Sequence, residues 1–136
     1  MKNILDAGPL IAALNRQDEH HRWACETLTR FGPPFYSCPE AMAEAAAMTG
    51  QSAAIVEMIQ SEEIILAFDL SEQTAGVLSL LKKYSDRDMD LADACIVRMT
   101  ELMRDCRVLT LDRADFAVYR RNGRDLIPLV APPGGS

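Results

Sequence analysis

A chain of 136 residues that is 49% hydrophobic and 25% charged is long enough and apolar enough to bury a core as one globular domain, which excludes a disordered chain. No apolar run approaches the roughly 20 residues of a membrane-spanning helix, and the N-terminus has no signal-peptide pattern, so a cytoplasmic protein without a membrane partner is expected. The net charge of −6 excludes a surface that attracts phosphate everywhere, because that attraction comes from positive charge.

The opening stretch KNILDAGPLIAAL, residues 2–14, reads as an apolar strand, an aspartate at its exit, and a helix that Gly8 and Pro9 begin. An acid where a strand gives way to a helix lies at the sheet edge where open α/β folds gather ligands. Asp6 is therefore a first candidate for chemistry, and it also fits the simpler role of helix cap. Residues 18–31 space Trp23, Leu28 and Phe31 as on a helix. His20 and His21 at its start point about 100° apart, and no third histidine exists to complete a metal site. Gly32-Pro33-Pro34 ends that helix, and residues 35–37 make a second strand.

Pro39 starts the next helix, where Glu44 stands among Met42, Ala43, Ala45, Ala46 and Ala47. A half-buried carboxylate in such company calls for a cation or a donor, unless it faces solvent. Glu40, in the first turn, is accounted for by the helix dipole and water. A further helix passes through Ile55, Met58 and Ile59. Residues 63–68 form a continuous apolar run, read as a third strand buried on both faces. Ser71 is expected to cap a helix to about Tyr84 that turns Val77, Leu78, Leu80 and Leu81 inward.

In the segment YSDRDMDLADACIVRMTELM, residues 84–103, Asp90 fits a helix start. Asp93 shares a helix face with Ile96, Val97 and Thr100, so it is expected to point inward and to need a partner or a metal. Asp90, one turn earlier, is a possible second acid. Residues 107–111 form a fourth strand that exits into Asp112, with Asp115 close behind. Residues 127–130 read as a fifth strand, placed at an edge by Pro128. The domain is expected to span 1–131, with 132–136 a flexible tail. Alternating strands and helices argue for α/β architecture and a mainly parallel sheet. Cys25, Cys38, Cys95 and Cys106 lack CxxC spacing and read as reduced thiols. Arg104, Arg107, Arg113, Arg120, Arg121 and Arg124 crowd the C-terminal stretch, either as a phosphate-facing patch or as a solvated face.

Asp6, Glu44, Asp93 and Asp112 are spread over the whole chain, two at strand exits and two on helices. A parallel sheet can bring all four to one end, where their charges repel unless cations intervene. Oxygen-only ligand sets favour hard ions such as Mg²⁺ or Mn²⁺, which activate water and hold the leaving oxygen of a phosphodiester.

Taken in order, ILDAGPLIAAL, AMAEA, MDLADACIV and LTLDRADFAVYR resemble the four motifs of the PIN-domain family, metal-dependent ribonucleases that include the VapC toxins of toxin–antitoxin pairs. The resemblance implies a three-layer α/β/α sandwich with a mainly parallel five-stranded sheet, a Mg²⁺ or Mn²⁺ site, and endonucleolytic hydrolysis of RNA. It places Asp6, Glu44, Asp93 and Asp112 as the catalytic and metal-holding acids, with Asp115 and Asp90 as secondary members. It also implies a homodimer and a cognate antitoxin, while Arg113, Arg120, Arg121 and Arg124 are the candidates for RNA contact. Ala7 stands where relatives often carry Thr or Ser. The alternative is a PIN-like module without catalysis that binds RNA or a protein.

Overall fold

The computed structural model describes residues 1–134. Strand β1 (Lys2–Leu5) leads into α1 (Ala7–Leu14), whose start Asp6 caps by accepting from the Ala7 amide. The chain continues through α2 (His21–Phe31), β2 (Phe35–Ser37) and α3 (Pro39–Thr49), with Pro39 in the first turn of α3. Gly50 ends α3 at a φ of 69°, the left-handed conformation that only glycine adopts without steric cost. Helix α4 (Ser52–Gln60) and β3 (Ile64–Leu66) follow, then α5 (Thr74–Lys83), α6 (Leu91–Leu102) and β4 (Cys106–Leu109). A short α7 (Arg113–Val118) precedes a two-stranded ribbon of β5 (Arg120–Arg121) and β6 (Asp125–Leu126), and β7 (Leu129–Val130) completes the sheet.

The main sheet has five strands in the order β3-β2-β1-β4-β7, and every pairing is parallel. Helices cover both faces, giving the three-layer α/β/α sandwich expected from the sequence. Each parallel pairing needs a crossover, and the helices between strands supply it. From β1 the chain winds outward through β2 to β3, then returns to place β4 on the other side of β1. The winding direction therefore reverses between β1 and β4, and the connections leaving these two strands diverge. That crevice at the carboxyl ends is where doubly wound sheets bind ligands.

The core lies around the central strands, where Ile4, Leu5, Val108 and Leu109 are buried together with Ala94, Cys95, Ile96, Val97 and Met99 of α6. Helix α6 packs against α3 and α5, and α1 against α2 and α3. Cys38, Cys95 and Cys106 are buried free thiols and Cys25 is a half-buried one. Among the described residues no helix is long and apolar enough to cross a membrane.

Several local expectations change. Strand β3 is an edge strand with Leu66 exposed, so the apolar run at 63–68 is not buried on both faces. Asp69, not Ser71, caps the turn that precedes α5, accepting from the Ser71 amide at 3.0 Å, and the helix itself starts at Thr74. Val77 and Leu80 point inward as expected, but Leu78 is 52% exposed. The fifth strand shortens to Leu129–Val130, at the edge where Pro128 belongs: the Pro128 carbonyl accepts from Val108, and no amide at 128 is needed. The β5–β6 ribbon was not expected at all. Its turn holds Asn122 and Gly123 at φ of 53° and 77°, and the Glu101 carboxylate anchors it by accepting from the Asn122 amide.

Phe116 is fully buried against Tyr119 at a ring separation of 5.2 Å. Phe116→Ala is expected to lower unfolding free energy by about 3–5 kcal/mol, and Leu78→Ser to change it by less than about 0.5 kcal/mol. Urea denaturation of both variants checks this; equal effects would mean that the two faces are wrongly assigned.

Candidate acidic site at the β1–β4 crevice

Asp6 follows β1 and Asp112 follows β4 by three residues, so the two strand exits deliver both acids to the same crevice. The Asp6 amide donates to the Leu109 carbonyl at 3.0 Å, extending the β1–β4 ladder to the site itself. Thr110 then joins the two acids. Its hydroxyl donates to Asp6 Oδ2 at 2.7 Å and accepts from the Asp112 amide at 3.0 Å. Gly8 suits the close approach of the two exits, because a Cβ there would press on the Leu111 side chain, with Cγ at 3.0 Å.

Helix α6 supplies Asp93. The cap of α6 is Asp90, whose carboxylate accepts from the Asp93 amide at 2.7 Å, so Asp90 fills the helix-start role and is exposed. Asp93 is half-buried, and its Oδ2 accepts from the Tyr119 hydroxyl at 3.2 Å. Tyr119 is itself wholly buried between Tyr84 and Phe116. In the first turn of α7, Asp115 donates its amide to Asp112 and accepts a 2.8 Å ion pair from Arg87. One carboxylate oxygen from each of Asp93, Asp112 and Asp115 lies within 4.8 Å of the other two.

The structure thus brings Asp93, Asp112 and Asp115 tightly together and sets Asp6 beside them through Thr110. Glu44 stands differently. The sequence placed it on an inward helix face, but α3 buries Ala41, Met42 and Ala45 and leaves Glu44 exposed. Its charge still reaches the site from the rim, because it helps to raise the pKa of Asp6. Glu40, which the sequence assigned to solvent and the helix dipole, has Oε1 buried with no hydrogen-bond partner among the described residues.

The electrostatics are those of crowded acids. Desolvation, opposed by the Thr110 and Ala7 hydrogen bonds, pushes Asp6 up to about 6. Desolvation and then the charges of Asp90 and Asp6 push Asp93 up to about 7. Asp112 is raised mainly by desolvation, and Glu44 by desolvation and Asp90. The Tyr119 hydroxyl is raised by burial and by Asp93, which keeps it a donor.

Thr110, Tyr119 and Arg87 were not singled out from the sequence. The only sequence trace of Thr110 is a hydroxyl residue in an otherwise apolar stretch, two positions before an aspartate; Tyr119 and Arg87 left none, since their partners are 26 and 28 positions away. Ala7 contributes its amide, and the hydroxyl that steadies the first acid comes from Thr110 of the neighbouring strand. The arginines divide. Arg120 Nη1 donates to the Ala117, Val118 and Tyr119 carbonyls, and Arg121 Nη1 to those of Thr100 and Arg104. Arg113 is exposed and reaches the Ala131 and Pro132 carbonyls, while Arg124 is exposed on the ribbon turn. His21 bonds the Ala12 carbonyl, away from the acids.

Two measurements follow. An acid with a raised folded pKa keeps its proton where the unfolded chain has lost it, so the folded state binds more protons between about pH 4 and pH 7 and stability falls as pH rises through that window. In EDTA the melting temperature is expected to fall from pH 5 to pH 8 by on the order of 5 °C; a rise would contradict the crowding. Thr110→Val removes a donor to Asp6 and an acceptor for Asp112, so it is expected to raise the Asp6 pKa further and to cost about 1–3 kcal/mol, read by carboxyl NMR titration and denaturant melts. No protein-family model matches the chain, and no curated protein matches it in sequence.

Proposed function

We propose that the chain is a divalent-metal-dependent endoribonuclease, with Mg²⁺ or Mn²⁺ held by the acids of the β1–β4 crevice. The observation that carries this is the convergence of Asp93, Asp112 and Asp115 oxygens within 4.8 Å, beside Asp6, at the winding reversal of a parallel sheet. The donor set fits such an ion. It is all oxygen, and octahedral ligands about 2.1 Å from one centre stand about 3–4 Å apart, within the observed spacing. Raised carboxyl pKa values mark negative charge that lacks compensation, which a cation provides.

Asp93 and Asp112 hold the ion in this reading, with Asp6 and Asp115 as neighbours able to join them and Glu44 at the rim. When bound, the ion supplies a water of lowered pKa and neutralises charge on the leaving oxygen of the phosphodiester. The protein's own residues do the positioning. Tyr119 fixes the Asp93 carboxylate, Thr110 fixes Asp6 and the turn of Asp112, and Arg87 holds Asp115. RNA is the substrate proposed because the ordered motifs resemble those of the PIN-domain ribonucleases, and the same resemblance carries the proposed antitoxin and homodimer. The second reading, a PIN-like module that binds without cutting, draws on Ala7 and on the Arg87–Asp115 pair, a cation already seated among the acids.

Incubating the protein with structured and single-stranded RNA in Mn²⁺ or Mg²⁺ is expected to give cleavage that EDTA abolishes. Asp93→Asn and Asp112→Asn are each expected to lose at least about 100-fold, the scale for removing a preorganised charge-stabilising group. Cleavage undiminished in both variants would assign it to a contaminant. Mn²⁺ binding by electron paramagnetic resonance without cleavage would favour the binding module.

A further inference from the structure

Adjoining the acidic crevice is a cleft of about 580 Å³ lined in part by Asp112, Arg113, Ala117, Pro132 and Pro133, with Glu19 and His20 from the turn before α2. Its size falls within the range of small-molecule sites. Its walls are preformed: Arg113 Nη2 lies 3.3 and 3.5 Å from the Ala131 and Pro132 carbonyls, which ties the prolines to α7. His20 is fixed from the other side, its amide donating to Asp18 at 2.8 Å and its ring Nε2 lying 3.7 Å from Glu19.

The charges around the cleft are Arg113 against Asp112 and Glu19, which gives no net attraction for a bare phosphate. A flat, neutral group with polar edges and apolar faces matches better. Proline rings, an alanine methyl and a held guanidinium offer surfaces for stacking, while carboxylate, imidazole and carbonyl groups offer donors and acceptors for its edge. A nucleobase has that combination, and unpaired RNA bases are recognised by stacking and by hydrogen bonds to their edges.

Position adds the rest. Asp112 belongs both to the cleft and to the acidic cluster, so a nucleoside lodged in the cleft lies next to a phosphodiester at the acids. We infer that this cleft is the pocket for one unpaired base of the RNA strand, adjacent to the bond that is cut, and that it sets which bond is chosen. This rests on the ribonuclease reading, but the pocket can be tested without it.

Guanosine, adenosine, cytidine and uridine, which carry no phosphate, are titrated into the protein in EDTA while backbone amides are followed by NMR. Saturable shifts are expected at Ala117 and His20 for at least one nucleoside, and none from inorganic phosphate. Ala117→Trp, at an exposed position that fills the cleft, and Arg113→Ala, which frees the prolines, are each expected to weaken binding at least about 10-fold, with melting temperatures showing that both are folded. No saturable shift, shifts reproduced by phosphate, or binding unchanged in both variants would overturn the pocket. The cleavage pattern on a defined RNA separates the two readings. If the wild type cuts nothing with Mn²⁺ yet binds a nucleoside, the pocket stands and the nuclease falls. If Ala117→Trp cuts the same bonds at the same rate, the pocket falls and the nuclease stands.

Discussion

The pairing of β1 with β4 is the constraint on which the molecule depends. Lys2 to Leu5 lie in register with Cys106 to Leu109, so two segments a hundred positions apart become neighbours at 4 consecutive ladder positions. Register in a parallel ladder fixes the exits as well as the strands, and a slip of one residue would turn every side chain to the opposite face. With Leu5 opposite Leu109, the next residues deliver Asp6 and Thr110 together, and Asp112 two positions later. The winding reversal at the same place sends the two following helices apart and leaves the crevice between them open. Fold and site are thus consequences of one alignment.

That alignment creates a cost which the surrounding residues only partly offset. Asp6, Asp93 and Asp112 are pulled from water and toward one another, and each responds by holding its proton more tightly. Thr110, the Ala7 amide and Tyr119 lower the burden with directed hydrogen bonds, while the full positive charge of Arg87 is bonded to their neighbour Asp115. Even with such help, all three carboxyl groups stay raised above their ordinary range. The hydrogen bonds fix geometry without neutralising charge, which leaves the negative potential available to a ligand.

How much of this the sequence disclosed follows from how local each signal is. Alternating strands and amphipathic helices appear in short windows, and they pointed to an α/β fold with a mainly parallel sheet, while the three layers came from the resemblance of the ordered motifs. Asp6 and Asp112 were visible because each ends an apolar stretch of sequence, and Asp93 because Ile96, Val97 and Thr100 define the buried face of its helix. Glu44 was misread because alanines stand on every side of α3 and Met42 alone among its large residues is buried, too little to mark the inward face. The buried stripe of Ala41, Met42 and Ala45 leaves Glu44 at its boundary. Three residues of β3 are too few for a run of apolar side chains to separate an edge from a centre. The ribbon had a local signal in Asn122-Gly123, a pair suited to turns with positive φ, which the crowd of arginines around it masked. Thr110 and Tyr119 depend on partners 104 and 26 positions away, and no window of sequence holds such a contact.

Arg120 and Arg121 carry a consequence for how a polyanion would meet this protein. A guanidinium whose Nη1 already clasps three main-chain carbonyls at the end of α7 keeps its charge but has fewer free N–H groups and less reach to offer a phosphate. The C-terminal half is rich in arginine by count, yet two of its members act as internal mortar for a helix end and a strand approach. Any polyanion that approached this surface would meet those two positive charges at fixed positions, on side chains that are not free to reach out to it.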